Sequence, residues 1–218
     1  MYWIIFIGFS LLSWIVSNRL NSKFKAYSKL PTENYMTGKD VAEKMLRDND
    51  IYDVSVQCVE GQLTDHYNPA TKVVNLSKEV YYGNSVVAAA VAAHECGHAV
   101  QHAENYSWLQ LRSSLVPVVN FASRWVMWVL LGGMILINTF PGLLLAGIVL
   151  FGLTTLFSFV TLPVEIDASK RALAWIDAHQ ITSRETHGKA QEALRLAALS
   201  SLATLCYYVM IYLGNNDD

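Results

Sequence analysis

The chain is poor in charge and in cysteine. Of its 218 residues, 16% are Asp, Glu, Lys or Arg and 53% are hydrophobic, a balance shifted well away from soluble averages. The three cysteines, Cys58, Cys96 and Cys206, have no CxxC spacing and leave an odd count. That argues against a disulfide framework and fits a reducing compartment. The formal net charge is −2, with no basic stripe along the chain, so nucleic acid is not an expected partner. No internal repeat or low-complexity segment is present.

Charge is missing in blocks. Met1 to Ser17 has none, Trp125 to Val164 has none over forty residues, and Leu196 to Leu213 has none over eighteen. A helix needs about 20 apolar residues to cross a bilayer. The forty-residue block therefore reads as two crossings joined at the turn-rich break Asn138-Thr-Phe-Pro-Gly142. The first begins near Val116 and the second runs from about Leu143 to Leu162. Met1 to Ser17 lacks a basic n-region and a small-x-small cleavage site before Arg19, and is expected to be an uncleaved anchor. Residues 196–213 either cross the membrane or pack on the other helices. Ten of the sixteen Lys/Arg lie in 18–114, five in 164–195, and Arg124 is the last. Arg19, Lys23, Lys25 and Lys29 follow the first span closely, so the positive-inside rule places 18–114 and 164–195 on the cytoplasmic side. The expected segments are an anchor at 1–17, a cytoplasmic domain at 18–114, a transmembrane hairpin at 115–163, a helical segment at 164–195 and an apolar helix at 196–218. The lipid bilayer is the first expected partner.

One motif carries chemistry. In Val91-Ala-Ala-His94-Glu95-Cys96-Gly97-His98-Ala-Val100, two histidines bracket a glutamate. On a helix, positions four apart share a face, so both imidazoles reach one metal ion while Glu95 addresses its water. Two neutral histidines hold Zn²⁺ without cancelling its charge, and a carboxylate then serves as proton acceptor. HExxH alone is a short pattern. Its flanks here are apolar and proline-free from Ser85 to Ala103, which marks a buried helix in which two His and one Glu need partners. Cys96 lies off the histidine face and is expected to pack.

The remaining soluble elements are small. Residues 38–49 read as an amphipathic helix. Val54–Val59 alternates as a strand, Asp65-His-Tyr-Asn-Pro69 is a turn cluster, and Thr71–Ser77 is a second strand pairing with the first as a hairpin. Ser77 starts a short helix.

A catalytic zinc takes three protein ligands and a water. Candidates for the third are His66, His102, Glu165, Asp167, His179 and His187. His102 lies two turns from His94, beyond reach of the same ion. Glu165 follows Pro163 at the end of an apolar span and is expected to open a helix, Glu165 to Ala178, where ionisable groups need a partner. A carboxylate at a helix start, favoured by the dipole, is the other reading of Glu165 and accounts for Asp167.

Four stretches together resemble the YugP-like family of bacterial membrane zinc metallopeptidases. They are Gly61-Gln-Leu-Thr-Asp-His-Tyr-Asn-Pro69, Val74-Asn-Leu-Ser77, Ala90 to His102 with the HExxH motif, and Leu162-Pro-Val-Glu-Ile-Asp-Ala-Ser169. More distantly the layout resembles membrane gluzincins, which pair HExxH with a downstream glutamate. The resemblance implies His94, His98 and Glu165 as zinc ligands and Glu95 as base. The chain departs from the family pattern after Ala197, so no site residue is carried onto the last helix.

The expected fold is a mainly α membrane protein: a bundle of three to four transmembrane helices with a small α+β zincin-like domain carrying a β-hairpin. The expected function is zinc-dependent endopeptidase action on membrane-associated or membrane-proximal proteins. Glu95 is the general base, Thr71–Ser77 a substrate edge, and His66 and Tyr67 candidate oxyanion stabilisers. The competing reading is a non-catalytic membrane protein that uses zinc structurally. The presence of Glu95, which a closed four-ligand site does not need, speaks against it. A transporter is disfavoured by spans nearly devoid of ionisable residues.

Overall fold

The computed structural model describes residues 2–61 and 64–197. In chain order they form α1 (Tyr2–Tyr27), α2 (Gly38–Asp48), β1 (Ser55–Val59), β2 (His66–Asn68), β3 (Val73–Ser77), α3 (Lys78–Tyr81), α4 (Val86–Ala103), α5 (Ser107–Ile135) and α6 (Pro141–Ala178). A further helical stretch covers 184–197. The packing separates two compact units. One gathers the described residues up to Tyr106 and from Glu165 onward; the other is Ser107–Val164. Most of the expected apolar helix at 196–218 lies outside the described residues.

The first unit is built around α4. Its sequence is dominated by alanine and valine, which are good or tolerable helix formers with little bulk. Ser85 caps its start, the hydroxyl accepting from the Ala88 N–H at 3.2 Å. Its end is set by Asn105, which adopts a left-handed φ of 55°. The Asn105 N–H donates to the His102 carbonyl and the Tyr106 N–H to the Gln101 carbonyl, a Schellman arrangement with Asn in the position usually held by Gly. Small side chains along α4 let its neighbours close in. Ala89, Ala93, Cys96 and Ala99 are buried in one core with Val41 and Met45 of α2, Val74 and Leu76 of β3, and Ala172 and Ile176 of α6. Cys96 is a packing residue: its thiol donates to the Ala42 carbonyl, and burial, with the nearby Glu95, pushes its pKa well above the usual thiol range.

Helix α2 forms as its amphipathic pattern requires. Thr37 and Asp40 make a reciprocal capping box, and Val41, Ala42, Met45 and Leu46 face the core.

The sheet differs from the expected hairpin. Its order is β1-β3-β2. β1 runs parallel to β3, with Ser55 opposite Val73 and Val59 opposite Ser77. The antiparallel partner of β3 is β2, with His66 opposite Asn75. Alternation along 54–59 and 71–77 marks two strands but carries no sign of their relative direction. The three residues of β2, flanked by Asp65 and Pro69, were hidden inside a turn-like cluster. One consequence is that β3 is central and cannot be a substrate edge.

The expectation that Glu165 opens a helix is also corrected. α6 runs unbroken from Pro141 to Ala178, with Pro163 inside it. A proline deletes one N–H but its fixed φ remains helical, so bonds on either side carry the rod through. Glu165 therefore sits mid-helix, which removes the helix-start explanation for its carboxylate.

The second unit is α5 and the leading part of α6, joined by the turn at 136–140. Glycines let these helices meet backbone to backbone. A Cβ on Gly133 would lie 2.6 Å from the Leu144 Cα, and one on Gly147 would lie 3.2 Å from the Leu130 Cα. Large apolar side chains face outward, including Phe121, Trp128, Ile135, Leu145 and Phe159. Among the described residues, α5 and α6 are the two helices long and apolar enough to cross a membrane, with 11% of each apolar window buried. That is fewer than the three to four expected. α1 is helical throughout, with Arg19, Lys23 and Lys25 in its later part.

Candidate metal centre

α4 and α6 bring three donors together. A nitrogen from each of His94 and His98 and a carboxylate oxygen of Glu165 lie within 4.8 Å of one another. Glu165 Oε2 is 3.1 Å from His94 Nε2 and 3.6 Å from His98 Nε2. The two rings meet edge to face, with centroids 4.8 Å apart. The i,i+4 spacing on α4 explains the histidine pair. The approach of α6 explains the glutamate. Gly97 lies between the histidines in sequence, and a Cβ there would sit 2.7 Å from the Ala168 carbonyl oxygen. Only a glycine lets the backbone of α6 lie this close, one turn beyond Glu165.

Each imidazole turns its other nitrogen to a partner. His94 Nδ1 lies 3.1 Å from Ser169 Oγ, and His98 Nδ1 lies 3.0 Å from Gln101 Oε1. The Nε2 atoms therefore face Glu165, which is the disposition that suits ligation. The electrostatics agree. Burial works to lower the pKa of His98, but the Glu165 and Glu95 carboxylates and Gln101 outweigh it and raise it. Burial works to raise the Glu165 carboxyl, yet hydrogen bonds from His94 and His98 prevail and hold it far below the usual carboxylate range. A carboxylate that stays ionised beside two imidazoles is a donor set fit for a divalent cation of zinc's preferences. His98 is buried, while His94 and Glu165 are partly exposed, so the group is not sealed on all sides.

Glu95 is also largely buried, at 9% exposure. Its Oε2 accepts the backbone N–H of Tyr67 at 3.0 Å. Strand β2 thus reaches the glutamate through main chain. The Tyr67 hydroxyl lies 2.8 Å from His102 Nδ1. Burial, with Asp53's charge adding to it, raises the Tyr67 pKa, so the side chain stays a phenol.

The other candidates lie elsewhere. His66 is exposed, its Nδ1 2.7 Å from the Thr64 carbonyl and its Nε2 3.2 Å from Asn75 Nδ2. His102 partners Tyr67. Asp167 accepts from Gln101 Nε2 at 2.8 Å and from Arg171 Nε at 2.6 Å. His179 pairs with Asp48 and stacks on Trp175. His187 lies beside Thr182 and Asp177. Gln101, Ser169 and Arg171 went unnoticed in the sequence. None of the three carries a signal in the sequence, because their partners lie far away along the chain.

Comparison with known proteins bears on this group. Residues 2–213 match the family model described as "putative neutral zinc metallopeptidase". The chain is 44% identical over 214 residues to "putative membrane protease YugP" of Bacillus subtilis (strain 168), covering 95% of this chain and 94% of that protein. No solved structure matches. With the match running nearly end to end and a His, His, Glu donor set assembled in the fold, the chain belongs to this family of zinc metallopeptidases.

Proposed function

We propose that the protein is a membrane-bound zinc-dependent endopeptidase that cleaves membrane-associated or membrane-proximal proteins at the cytoplasmic face. The observation that carries this reading is the convergence of His94, His98 and Glu165 within 4.8 Å, next to a largely buried Glu95 oriented by the Tyr67 N–H.

In this reading His94 Nε2, His98 Nε2 and one Glu165 oxygen hold the ion. Three protein donors with partly exposed edges leave a position open, as catalysis needs and a closed structural site does not. Zinc supplies Lewis acidity, both to acidify a water and to stabilise charge at the scissile carbonyl oxygen. Glu95 takes the proton from the attacking water and returns it to the leaving amine, so the hydroxyl ends on the carbonyl carbon and the proton on nitrogen. The Tyr67 N–H occupies Glu95 Oε2, which fixes the carboxylate and leaves the other oxygen for that transfer. Strand β2, not β3, is the edge strand that reaches Glu95. In a strand the N–H and C=O of one residue point the same way, so Tyr67 presents its carbonyl on the edge that faces α4, where an extended peptide can add. The phenol of Tyr67, held by His102, is a candidate for stabilising the oxyanion through its neighbourhood with Glu95. The ring nitrogens of His66 are taken by Thr64 and Asn75.

The membrane part of the reading rests on α5 and α6. Their apolar windows are almost entirely unburied, and lipid is the solvent that suits such surfaces. Glu165 follows the second apolar span by three residues of the same helix, so the substrates are proteins or peptides near the bilayer.

The test is hydrolysis of a peptide library by purified protein beside Glu95→Gln. The parent should cut internal bonds. The variant should keep its zinc and slow by about 10²–10⁴-fold, the usual contribution of a general base. Unchanged turnover in Glu95→Gln would end this mechanism.

A further inference from the structure

Gln101 follows His98 by three residues on α4 and is fully buried, at 0% exposure. A buried amide is costly unless both its ends are satisfied. Its Oε1 meets His98 Nδ1 at 3.0 Å, and its Nε2 donates to Asp167 Oδ2 at 2.8 Å. Asp167 is in turn gripped by Arg171 Nε at 2.6 Å, and Arg171 Nη1 reaches Glu104 at 2.7 Å. The relay joins α4 to α6 within the first unit.

The chemistry of these groups gives the relay one polarity. A carboxylate paired with a guanidinium can only accept. Gln101 must therefore turn its NH₂ toward Asp167 and its carbonyl oxygen toward His98. That oxygen also only accepts, so His98 Nδ1 must carry the proton. The lone pair is left on Nε2, the nitrogen that faces Glu165. His94 has no such constraint from its partner. Its Nδ1 meets the Ser169 hydroxyl, which donates or accepts as needed.

We infer that Gln101, oriented by Asp167 and Arg171, is a positioning residue that holds His98 in the Nδ1–H tautomer and thereby sets the site's affinity for zinc. The inference rests on the metal-site part of the proposed function and not on the hydrolysis. It assigns Asp167, a candidate ligand by sequence, to a place one partner removed from the metal ligands.

The test is zinc affinity of the purified full chain, read by competition with a chromogenic chelator. Gln101→Met keeps volume and removes the acceptor. Its affinity should fall by about 10–100-fold, the usual cost of removing such a partner. The pair Gln101→Glu with Asp167→Asn keeps an acceptor on His98 and moves the negative charge one place along the relay. It should recover most of the loss. Parent-like affinity in Gln101→Met overturns the inference, and so does equal weakness in the two variants. If Gln101→Met does not fold, ¹⁵N spectra of His98 in the zinc-loaded parent decide. Metal on Nε2 with a proton on Nδ1 supports the relay; metal on Nδ1 overturns it. Glu95→Gln separates the two readings. Its zinc binding should match the parent's, so a chain that keeps this zinc ranking but hydrolyses nothing counts against the peptidase alone.

Discussion

Replacing Gly97 with alanine adds one methyl group at the tightest contact between α4 and α6. By helix propensity alone the change should stabilise α4 by about 1 kcal/mol. The structure demands the opposite sign. The new Cβ would sit 2.7 Å from the Ala168 carbonyl oxygen, 3.1 Å from its Cα and 3.2 Å from its carbonyl carbon, where ordinary contact starts at 3.4 Å. The obstacle is backbone, which has no rotamer to escape into, so the helices must part by about 0.7 Å. Overpacking of this kind costs about 1–3 kcal/mol. It also moves Glu165, one turn before Ala168, away from the histidines. Zinc–ligand bonds tolerate only about 0.2 Å, so affinity should drop by at least about tenfold, the lower end of what loss of a supporting contact does. Chelator competition and thermal unfolding read the two effects on one sample. A Gly97→Ala protein that is more stable than the parent and binds zinc equally well would refute the close approach of α6, and with it the account of how Glu165 reaches the site.

Tyr67→Phe should bind zinc and peptide as the parent does yet lose about 10²–10³-fold in kcat, the range for one oxyanion donor; an unchanged kcat removes the phenol from the chemistry. Thr37→Ala should destabilise the first unit by about 1 kcal/mol through loss of the α2 cap, as seen in denaturant midpoints. The Thr37 hydroxyl is the main cause that holds Asp40 below its usual pKa. Its stabilisation is thus complete above the ordinary carboxylate range and lost as pH falls through the depressed value. The variant should therefore lose less stability on acidification than the parent, and parallel acid curves would contradict this. A cysteine at Ser22 should be shielded from an impermeant thiol reagent in intact cells and one at Asn138 labelled; the reverse pattern would put the site outside.

The sequence made the parts with strict periodicity legible. The HExxH helix and the amphipathic α2 follow from spacing and residue type, and Glu165 stood out because a carboxylate beside an apolar span needs a partner. Four things were not legible. The direction of β1 relative to β3 depends on β2 lying between them in the chain and on the far side of β3 in the sheet, which alternation does not record. The three-residue β2 sits among Asp65, Asn68 and Pro69, whose turn propensity masks it until β3 supplies hydrogen bonds. Pro163 reads locally as a helix stop, whereas α6 absorbs it. Gln101 was invisible for a different reason: its partner Asp167 is 66 residues away, so only the folded chain gives it meaning.

The three donors also differ in when they are made. His94 and Glu165 are 71 residues apart, and chains grow at about 5–20 residues per second. For several seconds a nascent chain holds Glu95 and both histidines without the third donor. Because the last donor lies beyond both apolar spans, the three-donor group is incomplete until α6 has been made. A permuted gene that encodes α6 ahead of α4 would reverse the order in which the donors are made.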